Sequence, residues 1–224
     1  MADAAVTATT DGGRRRIALL GIRRYPCASM VLPDPDAVSD DALLVAFANG
    51  DGMAGRELLD RLAPMLFGYA ARVLGDRAEA EDVVQDTMMR LWKIAPDWRQ
   101  GEAKVSTWAY RVAANLCTDR LRRRQTRGDV TLDAVAEPPA DQASAVEVMT
   151  EAARAEALQG ALDTLPERQR QAVVLRHLEG FSNPEIAEIM DIGVEAVESL
   201  TARGKRALKA ALSGRKEELG YVDG

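Results

Sequence analysis

The stretch Gly75–Trp92, GDRAEAEDVVQDTMMRLW, decides the fold. Asp76 is placed to cap a helix, and Glu79 sits at its third position, where the carboxylate can reach back in the manner of a capping box. Ala80, Val84, Met88 and Leu91 recur at spacings of four, four and three, so they share one apolar stripe, which Val83 and Trp92 widen. The spacing predicts an amphipathic helix packed on a core. Its opposite side carries Asp82, Gln85, Asp86, Met89 and Lys93, an acidic face with one large apolar side chain in its middle. Exposed charge by default only meets water; the alternative is a docking surface for a basic or mixed partner.

Upstream, Ser39-Asp40-Asp41 reads as a cap followed by an acidic first turn, with Leu43, Leu44 and Phe47 on one face. Leu58, Leu59, Leu62, Leu66, Tyr69, Val73 and Leu74 keep helical spacing until Gly75 stops the run. Residues 1–36 lack sustained periodicity and are rich in Ala, Thr, Gly, Arg and Pro, so a disordered extension is expected, with Met30 a second candidate start. Downstream, a loop from Ala95 to Lys104 holds Trp98, Arg99 and Lys104. A second helix is expected over about Ser106 to Arg124, within VSTWAYRVAANLCTDRLRRR. Ala109, Val112, Ala113, Leu116 and Arg120 lie along one side, with Trp108 and Leu121 adjoining; Arg111, Asn115, Asp119 and Arg122 lie on another. Tyr110, Arg111, Asn115 and the terminal arginines are the stacking rings, donors and acceptors that nucleic acid uses.

From Arg127 to about Met149 the chain turns acidic and loses apolar periodicity around Pro138-Pro139, which reads as a linker. A further helical unit begins near Thr150. Leu158, Ala161, Leu162 and Leu165 close one helix, Pro166 opens the next at a first-turn position, and Gly180 ends it. Ser182-Asn183-Pro184-Glu185 is another capping box, before a short helix with Ile186, Ile189 and Met190. A turn at Asp191-Ile192-Gly193 leads into a longer helix from Val194 to Lys209, with Val197, Leu200, Gly204 and Leu208 inward. A short helix, a glycine-containing turn and a longer helix are the signature of a helix-turn-helix, whose second helix enters the major groove. The outward face Glu195, Ser199, Ala202, Arg203 and Arg206 combines small side chains with arginines long enough to reach phosphates.

The 224 residues are 47% hydrophobic and 29% charged, enough for one domain or two small ones. Arg14-Arg15-Arg16 before Ile17–Ile22 resembles the start of a signal peptide, but the apolar run is too short and no cleavage site follows, so neither secretion nor a membrane span is expected. Cys27 and Cys117 form no metal or redox spacing, which suits a reducing cytosol, with Cys27 in the extension and Cys117 in a core. The balance of 29 basic against 35 acidic residues, net −6, argues against unaided coating of DNA. Two dense basic runs, Arg120–Arg127 and Arg203–Lys209, point instead to positioned phosphate contacts. His177, the lone histidine, sits near a helix end, where a charge–dipole role is expected. Without histidine or cysteine partners no zinc site is expected. With no nucleophile–base pair and no phosphate-binding glycine loop, the chain reads as a non-enzyme without cofactor.

The order GDRAEAEDVVQDTMMRLW, TWAYRVAANLCTDRLRRR, a linker, and LPERQRQAVVLRHLEGFSNPEIAEIM before a recognition-type helix closely resembles the extracytoplasmic-function (ECF) class of bacterial RNA polymerase sigma factors. The resemblance covers about Asp40 to Leu212. It implies an all-α chain of two small helical domains joined by a flexible linker: a sigma-2-like bundle over 37–126, a linker over 127–149, and a sigma-4-like helix-turn-helix domain over 150–213, with a tail over 214–224. It also implies a cytoplasmic transcription initiation factor that binds core RNA polymerase, through the β′ clamp helices and the β subunit, and melts promoter DNA. Asp82, Gln85, Asp86, Met89 and Trp92 would dock on the clamp helices. Trp98, Arg99, Lys104, Arg111, Asn115, Asp119, Arg122 and Arg123 would handle the −10 element. Arg176, Glu195, Ser199, Arg203 and Arg206 would face the −35 element, and an anti-sigma factor would cover these surfaces. Glu198 and Leu200 stand where family members commonly carry basic residues, which removes positive charge from the −35 reader. Two alternatives remain open: a sigma-like decoy that titrates an anti-sigma factor, and a duplex-only helix-turn-helix regulator.

Overall fold

The computed structural model describes residues 38–101, 103–127 and 145–213, the side chains of 127 and 145–151 excepted. The expectations for the 1–36 extension with Cys27 and Met30, for most of the 127–149 linker and for the 214–224 tail lie outside the described residues. Helix enters the linker segment from both ends, since the helix before it runs to Arg127 and the one after it starts at Ala145.

Eight α-helices and no strand make up the described residues: α1 (Asp40–Ala48), α2 (Gly52–Leu74), α3 (Arg77–Ile94), α4 (Val105–Arg127), α5 (Ala145–Asp163), α6 (Glu167–His177), α7 (Asn183–Met190) and α8 (Val194–Ser213), with a single 3-10 turn at Ala95–Asp97. Among them no helix is long and apolar enough to cross a membrane. Local chemistry sets the helix ends. The Ser39 hydroxyl accepts from the Ala42 N–H at 3.2 Å, and the Asp51 carboxylate accepts from those of Met53 and Ala54 at 2.9 and 3.2 Å, satisfying donors that a first turn leaves open. Gly75 ends α2 at φ 66°, a left-handed conformation that favours glycine.

At α3 the cap is as expected, but the box is not. Asp76 accepts from the Glu79 N–H at 3.0 Å, whereas the Glu79 carboxylate turns to Arg124, 3.1 Å away. A cation on the neighbouring helix outcompetes the cap's own amide, because an ionised donor makes the stronger bond.

The apolar stripes meet in one continuous hydrophobic cluster, from Leu43 in α1 to Val197 in α8. Within it Tyr69, Tyr110, Leu62, Leu66, Leu91, Leu162, Leu175 and Ile186 are fully buried. The two helical sets therefore pack on each other as well as within themselves. Their seam is centred on the C-terminal end of α2, where three successive carbonyls take side-chain donors from three helices. Gln159 of α5 donates to Arg72 O at 3.2 Å, Arg170 of α6 to Val73 O at 2.8 Å, and Arg124 of α4 to Leu74 O at 2.9 Å. The last carbonyls of a helix lack intrahelical partners and carry its negative pole, so two arginines there are favourably placed. Arg170 also grips Asp163 at 3.0 Å.

Candidate nucleic-acid interface

The acidic face of α3 is presented as its spacing predicts, with qualifications at two residues. Asp82 is exposed and Gln85 half-buried, and Met89 is 60% exposed in the middle of the face. Asp86 forms a salt bridge with Arg120 of α4 at 3.2 Å. Trp92, which the spacing puts at the edge of the apolar stripe and the family resemblance on the docking surface, is partly buried, its ring 4.4 Å from that of Phe47 in α1. Packing wins there because the indole's apolar area gains more from the core than from water.

The arginine run of α4 divides by helical geometry. Arg120 and Arg124, four residues apart, point back toward α3, where Arg124 pairs with Asp76 at 3.2 Å and with Glu79. With its side chain 17% exposed, Arg124 is a strut rather than a phosphate donor. Arg122 and Arg123 face solvent. Cys117 lies on the inner side, buried as expected, and burial pushes its thiol up to about 12, only partly offset by Arg120. It is an unreactive core thiol.

Of the other −10 candidates, Arg111, Asn115, Asp119 and Arg122 share one exposed side of α4. The Trp98 indole N–H donates to Asp41 at 2.9 Å and its ring meets Trp108 edge-on at 6.4 Å, so it braces the loop against α1 instead of standing free. Arg99 is exposed. Lys104 pairs with Glu185 of α7 at 2.9 Å, and Arg111 with Asp191 at 3.4 Å. Asn115, Asp119 and Arg122 line a cleft of about 300 Å³ closed on its far side by Arg168, Gln171 and Met190.

In the helix-turn-helix, the Glu185 carboxylate at the third position of α7 reaches back to accept from the Ser182 amide at 3.0 Å and from its hydroxyl at 2.8 Å. The Lys104 ammonium, with the Ser182 donors behind it, holds the Glu185 carboxyl down at about 2. Asp191 makes the turn at φ 53°, a conformation an aspartate tolerates better than most residues. Behind α8, Gly204 lets the helix close on α6: a Cβ there would lie 2.4 Å from Val173 Cγ2. Val197 and Gly204 are buried, while Leu200 and Leu208 are half-buried. Glu195, Ala202, Arg203 and Arg206 face outward beside a half-buried Ser199. The Arg203 Nε donates to the Ser199 hydroxyl at 3.2 Å, Arg176 donates to Phe181 O at 2.9 Å, and Asn183 donates to the exposed Glu198 at 3.5 Å. Desolvation, Lys205 and Arg176 lower the pKa of His177. That runs against the charge–dipole role expected of it, since the ring is held toward its neutral form.

Arg124 reads in the sequence only as one cation of the basic run, and Arg170 and Glu179 carry no assignment there. Arg124 and Arg170 both lie at helical spacing from apolar inward positions, a signal of their inward roles. Glu179 had none: it follows a helix end, yet its side chain is 7% exposed and bonded to two residues distant in sequence.

Comparison with known proteins accounts for both helical sets. The sigma-70 region 2 family matches residues 58–127, and the sigma-70 region 4 family matches residues 155–208. The chain is 34% identical over 174 residues to the ECF RNA polymerase sigma factor SigM of Mycobacterium tuberculosis, covering 78% of this chain and 85% of SigM. Among solved structures it is similar to CnrH of Cupriavidus metallidurans in complex with the cytosolic domain of CnrY, at 26% identity and TM-score 0.57, over 78% of this chain and 97% of that one. It is likewise similar to the sigma factor RpoE of Bartonella quintana in complex with the anti-sigma factor NepR, at 25% identity and TM-score 0.57, over 70% and 96%. With both regions present in order, and a relative this similar along most of its length, the chain belongs to the ECF RNA polymerase sigma factors.

Proposed function

We propose that this chain is an alternative sigma factor that joins core RNA polymerase in the cytoplasm, recognises −10 and −35 promoter elements and promotes melting. The observation that carries this reading is the placing of three surfaces on one helical scaffold. They are the acidic face of α3 with Met89 exposed at its centre, the outward cations of α4, and the outward face of α8. An acidic, partly apolar surface suits a protein partner and repels DNA, whereas the two cationic surfaces suit phosphates. Asp82, Gln85, Asp86 and Met89 would dock on the β′ clamp helices, with Trp92 holding that surface in shape from behind. Lys104, Arg111, Asn115, Asp119, Arg122 and Arg123 would meet the −10 element, whose unstacked bases are captured by pockets and rings while phosphates hold the flanks. Glu195, Ser199, Arg203 and Arg206, with Arg176 on a phosphate, would read the −35 duplex. Such a factor does no bond chemistry of its own. An anti-sigma factor is proposed as a further partner, supported by the complex of RpoE with the anti-sigma factor NepR.

In vitro transcription with purified core polymerase, on promoters selected from a random library, tests this reading. Initiation that requires the chain supports it, and Asp82→Arg with Met89→Asp should abolish it while leaving helix content unchanged. Tight anti-sigma binding without initiation on any template would favour a decoy. DNA binding that never involves polymerase would favour a duplex-only regulator.

A further inference from the structure

The −10 side of α4 is solvent-exposed, but α7 lies against one end of it and engages two of its cations. Glu185 and Asp191 place carboxylates on Lys104 and Arg111, and the cleft along Asn115, Asp119 and Arg122, which stay exposed, is walled on one side by Arg168 and Gln171 of α6 and Met190 of α7. Both surface pairs are half-exposed or more on at least one side, and ion pairs of that kind contribute little to holding two bodies together. What holds them lies deeper, in the connection between α6 and α7. There Glu179 accepts from the Tyr110 hydroxyl at 2.7 Å and from Arg72 at 3.2 Å. Phe181 sets its ring edge-on to Tyr110 at 4.7 Å, and Tyr110 in turn meets Tyr69 at 5.5 Å.

A carboxylate in such a place is suited to reversible closure. It is satisfied only while both partners are in reach, and losing one strands a buried charge, so partial separation is unfavourable. Full separation returns it to water, where its solvation is recovered. These are the properties of a two-state contact. We propose that the α6–α7 connection is an intramolecular latch: Glu179, seated between Arg72 and Tyr110, holds the helix-turn-helix against α4, so that Glu185 and Asp191 occupy cations that would otherwise meet phosphates. In the free chain these two cations are withheld from single-stranded DNA until the latch releases. The inference rests on reading that side of α4 as a nucleic-acid surface, and it makes α7 an acidic stand-in for the backbone.

The test uses the full chain with Cys27→Ser, Arg56→Cys and Lys209→Cys, carrying a fluorescent donor and acceptor on the two helical sets, with labelled oligothymidine as the nucleic-acid probe. The expected result is a single high-transfer population that binds oligothymidine weakly. Glu179→Ala should move it to low transfer and tighten oligothymidine binding about tenfold, the factor matching loss of one charge-assisted bond network. Tyr110→Phe, which keeps the ring and removes only the hydroxyl, should move both readings the same way by less. Circular dichroism checks that each variant is folded. A low-transfer population before mutation, transfer unmoved by Glu179→Ala, or opening without tighter binding would each overturn the latch. Core polymerase binding by the unmutated chain is measured alongside. Its absence would refute the sigma reading, whatever the transfer measurements give.

Discussion

Replacing Gly204 with alanine should destabilise this protein, although the same change in most helices stabilises. Gly204 is inside α8, where alanine is favoured over glycine by up to about 1 kcal/mol. Against that gain, the added methyl would lie 2.4 Å from Val173 Cγ2 and 3.3 Å from Gln169 O, so neighbouring atoms must move by about 1 Å to reach ordinary contact. Val173 is poorly able to give way, being β-branched, in a helix and 2% exposed. Overpacking of this kind costs about 1–3 kcal/mol, leaving Gly204→Ala about 0–2 kcal/mol less stable on balance. The decisive arm is the Val173→Ala background, in which the obstructing methyls are gone. There Gly204→Ala should stabilise, and the coupling energy of the double-mutant cycle should equal the clash, about 1–3 kcal/mol. Urea denaturation of the full chain reads all four corners, with an unchanged m-value as the check that only stability moved. If Gly204→Ala alone gains about 1 kcal/mol and adds independently to Val173→Ala, α8 does not approach α6 as closely as described.

Arg124→Ala should cost about 2–3 kcal/mol, since Leu74 O, Asp76 and Glu79 lose a charged donor together. Arg123→Ala, one residue away and exposed, should change stability by less than about 0.5 kcal/mol; equal thermal shifts for the two would contradict the division of the run. Glu185 titrates at about 2 in the folded chain against an ordinary 4.5, so its contribution is full above that ordinary value and disappears as pH falls through the window between them. Because the pair is exposed on its Lys104 side, the contribution is below about 1 kcal/mol. The stability gap between wild type and Glu185→Gln should therefore close between about pH 4.5 and pH 2, and a gap constant across that range would remove the Lys104 pair from the account. Arg203→Ala should weaken −35 duplex binding and lower its salt slope by about one phosphate contact. An unchanged slope would show that Arg203 stays on Ser199 when DNA is bound.

Local sequence determined every helix that has a strong stripe. The cap at Asp76, the stop at Gly75 and the box at Ser182–Glu185 were legible because each depends on atoms within four residues of one another. Spacing alone also marked the exposed sides of α3 and α8, since helical periodicity separates a buried face from a wet one. Partners were not legible. Glu79 abandons its cap for Arg124, Trp92 turns to Phe47, and Trp98 braces Asp41. In each case the choice is made by a group more than forty residues away, and no local pattern records it. Arg120 and Arg124 counted with the phosphate-binding run until the packing of α3 on α4 drew them out of it. The sequence by itself thus determined which helices form, in what order, and with which faces; that part depends on short-range hydrogen bonding and on periodic burial. Only the tertiary structure decided which charges remain free for a ligand, and that the two helical sets close on each other through Glu179. A charged side chain's role depends on what lies within a few ångströms of it, and folding, not spacing, brings those neighbours there.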